Sequence, residues 1–63
     1  MKLNKLDLSF IQNAVYFYCK QNGFDNIADI QKQTFKKLND ECKKKLSRYA
    51  GNMAICDIFD KNM

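Results

Sequence analysis

Histidine and proline are both missing from these 63 residues, and glycine appears only at positions 23 and 51. Without histidine, the side chain that changes charge near neutral pH is absent, and with it most general-base, triad and metal-ligand schemes. Without proline, no position is barred from a helix interior by a missing N–H, so long helical stretches are open to the chain. Cysteine is scarce and odd in number. Cys19, Cys42 and Cys56 form no C-x-x-C pair, so neither a disulfide framework nor a zinc site is suggested, and they read as reduced, half-buried small apolar residues. Tryptophan is absent too, and phosphate-loop, dinucleotide and calcium-loop motifs are not found.

The size admits one domain, residues 1–63, with a small core. A chain this short buries only about 60% of its unfolded surface, so a partner subunit is the expected source of extra stability. The longest uncharged apolar run, Ala14 to Cys19, is too short to cross a bilayer, and no membrane role is expected. Met1 to Lys5 is basic, but Asp7, Gln12 and Asn13 follow where a secretory signal needs an apolar segment; a cytoplasmic location is the expectation.

The pattern predicts an all-α fold: a helical hairpin of helices over 7–21 and 26–50, completed by a short helix over 53–61. Asn22-Gly23 reads as the stop of the first helix, with Gly23 at its C′ position. Asp25 or Asn26 is the candidate N-cap of the second, with Asp29 in its first turn. Gly51 would stop that helix and Asn52 cap the next; the alternatives are a restart at Asn39-Asp40-Glu41 or a kinked continuation past Gly51.

The first helix is apolar over about 200° of its circumference, twice what one neighbour covers. Leu3, Leu6, Phe10, Ala14 and Phe17 form one flank, and Leu8, Ile11, Val15, Tyr18 and Cys19 another. It should therefore touch at least two elements, and an aromatic-rich interface through Phe10, Val15, Phe17 and Tyr18, to a second copy or another partner, is the expectation. The second helix is the opposite kind, with a seam of Phe35, Leu38, Cys42, Leu46 and Tyr49 about 80° wide. The C-terminal segment is apolar on several sides, with Asp57 and Asp60 marking its solvent face, and must dock to be helical at all.

Charge is localised. The window 32–48 carries seven basic and two acidic residues, whereas the rest of the chain carries four basic and five acidic. Lys32, Lys36, Lys37, Lys43, Lys44 and Arg48 are the candidate partner-binding residues on a basic helix face. Such a face would steer binding to an acidic protein surface or, alternatively, neutralise nucleic-acid phosphates; plain solvation of an outer helix face is the competing account. Lysine in place of arginine favours backbone contact over base readout. Asp25, Asn26 and Asp29 sit where the recognition helix of a helix-turn-helix would meet bases, which disfavours that motif. The acidic pairs Asp40-Glu41 and Asp57/Asp60 read as solvated, and Cys42, despite Lys43 to Lys45 beside it, as a core residue. The expectation is a non-enzymatic regulatory or inhibitory protein, without cofactor or metal, that acts by protein–protein interaction as a homodimer.

Overall fold

A computed structural model describes residues 2–63. Three helices form the domain: α1 (Lys5–Asn22), α2 (Asp29–Lys45) and α3 (Ala50–Asn62), with a 3-10 turn at Phe24–Asn26 between the first two. No strand occurs among the described residues. The all-α hairpin closed by a short third helix is therefore the architecture, although several boundaries differ from those the sequence predicts.

Helix α1 starts two residues earlier than its periodicity suggests, because Asn4 and Asp7 cap it reciprocally. The Asp7 N–H donates to Asn4 Oδ1 at 2.8 Å, and the Asn4 N–H donates to Asp7 Oδ2 at 3.0 Å. This capping box satisfies two otherwise orphaned groups and stabilises the helix by about 1 kcal/mol. At the other end Gly23 adopts φ +83°, which only glycine enters without strain, and its N–H donates to the Cys19 carbonyl.

Asn26 does not cap α2. Its side chain turns back and donates to the Asn22 carbonyl at 2.8 Å, closing the end of α1 instead. The intervening Ile27 is extended and buried, and this one apolar side chain pins the connection to the core. Helix α2 then begins after Ala28, whose N–H is met by the Gln31 side-chain oxygen.

The second helix runs unbroken through Asn39-Asp40-Glu41 but ends at Lys45, not at residue 50. Leu46 leaves the helix with φ −113°, its side chain fully buried, and the chain turns through Ser47 and Arg48. Gly51 consequently stops nothing; it lies in the first turn of α3 with ordinary negative φ, and Asn52 follows it inside the helix. The reason is packing. Helices of 18 and 17 residues are about 25 Å long, so an α2 extended through Met53 and Cys56 would carry them beyond the end of α1. Folding back brings Met53, Cys56 and Phe59 onto both longer helices, within overall extents of 29 × 26 × 17 Å.

The core has two parts. Leu8, Cys42, Leu46 and Cys56 form one, flanked by Leu3, Leu38 and Met53. Cys19, Ile27 and Phe59 form the other, flanked by Val15, Tyr16, Phe24, Phe35, Ile55 and Met63. Four of the five seam residues of α2 thus face inward, while Tyr49 stays about half exposed. Two polar ties cross this interior. Gln12, wholly buried, donates to Cys56 Sγ and to the Asn52 carbonyl, and accepts from Asn52 Nδ2 at 2.6 Å. Asn39, also buried, donates to Asp60 at 3.0 Å and joins α2 to α3.

Candidate interaction surfaces

The three thiols are fully buried, not half-buried as the sequence suggests, and none is paired. Burial pushes all three thiols up, and Cys42, with Cys56 and Glu41 adding to the effect, rises from 9.0 to about 11. A nucleophilic cysteine needs the reverse shift and solvent access. The chemistry here is that of packing. A thiol held neutral by the fold destabilises it once the unfolded form ionises: the contribution is full below pH 9 and lost as pH rises from about 9 to about 11. For Cys42 this amounts to about 2–3 kcal/mol. Urea midpoints at pH 8 and pH 11 should therefore diverge in the native chain and diverge less in Cys42→Ala, where Cys19 and Cys56 remain; an equal drop in both would refute the assignment.

No group of three or more cysteine, aspartate and glutamate side chains is placed to hold a metal ion among the described residues. The concavity between α2 and α3, about 270 Å³, is lined by Lys36, Asn39, Asp40, Phe59, Asp60 and Met63. Its Asp60 carboxylate is already engaged: Lys43 Nζ lies 2.7 Å from one oxygen, and Asn39 donates to the other. That pairing also holds the Lys43 ammonium above its ordinary range. Asp60 is thus a tether between helices as well as a surface residue, whereas Asp57, Asp40 and Glu41 are exposed.

The basic candidates separate by role. Lys32, Lys36, Lys37, Lys43 and Lys44 lie on α2, but Arg48 sits in the turn after it. Lys43 is bound to Asp60, and Lys44 and Lys45 approach Glu41 at 4.0 and 3.6 Å. Lys32, Lys36, Lys37 and Arg48 make no ion pair among the described residues. At 100° per residue the α2 lysines wrap about 220° of the helix, interrupted by Asp29, Asp40 and Glu41. They form a broad basic surface and not a single track.

The apolar candidates separate as well. Val15 is partly buried against the Cys19–Ile27–Phe59 part of the core. Tyr18 lies across the α1–α2 junction, edge-on to Phe35 at 6.3 Å, with its hydroxyl accepting from Gln31. Phe10 and Phe17 face water, 76% and 64% exposed, and Leu6, which the interface expectation left out, is 80% exposed. Helix α1 does touch both α2 and α3, yet that contact uses the face of Leu8, Gln12 and Cys19. Leu6, Phe10 and Phe17 project about 160° away from it. Their spacing carries the signal that could have singled out Leu6: with Asn13 they run four, three and four apart, the a/d repeat of a helix seam.

No helix among the described residues is long and apolar enough to cross a membrane. Compared with known proteins, the chain matches no family model, no curated protein and no solved structure.

Proposed function

We propose that this chain is a non-enzymatic regulatory or inhibitory protein, a homodimer that works by occupying an acidic surface on a larger protein through the outer side of α2. The observation that carries the reading is the set of unpaired cations Lys32, Lys36, Lys37 and Arg48 on a helix and turn whose acidic neighbours are engaged elsewhere or too few to neutralise them. Unpaired surface charge of one sign accelerates association with an oppositely charged patch and rejects like-charged ones. The interruption of the lysines by Asp29, Asp40 and Glu41 supports a protein patch of mixed shape over a phosphate backbone, which rewards an unbroken cationic track.

The test is capture of partners on immobilised protein, with and without nuclease, beside binding to mixed-sequence DNA and RNA over a salt series. A nuclease-resistant protein partner, lost in Lys36→Glu/Lys37→Glu, is the expected result. Capture abolished by nuclease, with nucleic-acid affinity falling steeply and linearly on a log–log salt plot, would overturn it in favour of phosphate binding.

A further inference from the structure

We infer that the outer face of α1 is the contact between two copies of this chain, paired as an isologous antiparallel helix pair in which Leu6 meets Phe17 and Phe10 meets Asn13 across the two-fold axis. This rests on reading that face as an interaction surface and specifies its occupant; it does not depend on the basic face of α2.

Two observations select a second copy in this orientation, and a third bears on how the copies approach. The first is the repeat. Leu6, Phe10, Asn13 and Phe17 lie within a 60° arc of α1 and run for three turns, about 17 Å, so the complementary surface is another helix. The second is steric. Antiparallel layers set a larger side chain against a smaller one at every level, Phe17 against Leu6 and Phe10 against Asn13, which interdigitate. A parallel pair would stack Phe17 on Phe17 and Phe10 on Phe10 while leaving Asn13 opposite Asn13. Asn13 is the smaller member of its layer, and one N–H of its amide is already engaged, donating to the Ser9 carbonyl at 2.8 Å. The third is charge. The residues bordering the stripe, Ser9, Ala14, Tyr16 and Gln21, are uncharged; Asp7 and Lys20 are the ionised neighbours, the Lys20 ammonium lying 5.5 Å over the Tyr16 ring. The copies can therefore approach without bringing their α2 lysines together. A parallel pair would set the Lys2–Lys5 ends of both copies side by side; the antiparallel pair sets each beside the partner helix's C-terminal end, where the macrodipole favours cations but Lys20 opposes them, so charge does not distinguish the two orientations and the steric layers do.

The area reaches what a specific contact needs when these side chains are fully covered. Leu6, Phe10 and Phe17 leave on the order of 450 Å² of surface in water per copy, about a tenth of the 4650 Å² total. Complete burial in two copies would remove at most about 900 Å² from these residues, and Ala14 and Gln21 beside them bring that limit to the roughly 1,000 Å² of a specific contact.

Sedimentation at micromolar concentration should give a species of twice 7.4 kDa. Phe10→Lys should return it to monomer, weakening association by about a hundredfold or more while keeping the helical circular dichroism, since Phe10 touches little in its own fold. The orientation is read by cross-linking: Leu6→Cys mixed with Phe17→Cys should form the mixed disulfide faster than either forms its own, the native thiols being buried. A native chain that stays at 7.4 kDa, or Leu6→Cys that links fastest to itself, would overturn the inference. A monomer that still captures its nuclease-resistant partner would sink the pairing and the homodimer while leaving the α2 reading in place. A dimer whose capture is nuclease-sensitive would sink the α2 reading alone.

Discussion

Phe59→Ala should cost this domain more stability than any other single truncation. The ring is 2% exposed and meets Tyr16 and Phe24 edge-on, at 6.2 and 6.1 Å between centroids. It is also the largest of the fully or nearly fully buried side chains, and it joins α3 to Cys19 of α1 and Ile27 of the connection. Removing a buried phenylalanine costs about 3–5 kcal/mol. A domain of this size has a total stability of roughly 3–9 kcal/mol at the usual per-residue values, so one substitution removes between about a third and all of it. Thermal unfolding followed by circular dichroism should show a midpoint lowered by well over 10 °C, given about 4–8 °C per kcal/mol. A shift of a few degrees would mean that α3 is not docked through this ring.

Gln12→Ala should be the next most damaging change, at about 2–4 kcal/mol. It opens a void in the interior and strips Asn52 of its 2.6 Å partner. The polar part of that loss can be isolated. Gln12→Leu keeps the volume but leaves the Asn52 amide with Ser9 Oγ as its one side-chain partner, costing about 1–3 kcal/mol, and adding Asn52→Leu should recover part of it, because removing both partners is cheaper than removing one. Urea unfolding of the two single variants and the double variant measures the coupling. Were Gln12→Leu as stable as the native chain, the tie between α1 and α3 would contribute nothing.

The residues that surprised are those whose role depends on a partner distant in sequence. Gln12 falls on the flank of α1 shared by Leu8 and Cys19, so its angular position pointed inward. A polar side chain is placed in a core only if a partner awaits it, and that partner, Asn52, is forty residues away. Asn52 itself resembles a helix cap by type, and Asn26 likewise; each found a bond elsewhere that the local rules do not weigh. Asn4 and Asp7 were legible in principle, since their capping box is local and three residues apart. The interface quartet was divided for a related reason. Phe10, Val15, Phe17 and Tyr18 are all apolar or aromatic, and composition could not tell which flank of an over-wide apolar surface the two neighbouring helices would take.

The three helices, the sharp stop at Gly23, the inward seam of α2 from Phe35 to Leu46 and the concentration of lysine on α2 were determined by sequence alone. Each follows from local backbone preference or from periodicity along one element. The end of α2 at Leu46, the burial of Gln12 and Asn39, the capture of Lys43 by Asp60 and the outward turn of Leu6, Phe10 and Phe17 were decided by tertiary structure. Those four depend on how α3 folds back between the longer helices. Once α3 covers the Leu8–Cys19 face of α1, the opposite face has no intramolecular neighbour left to cover it.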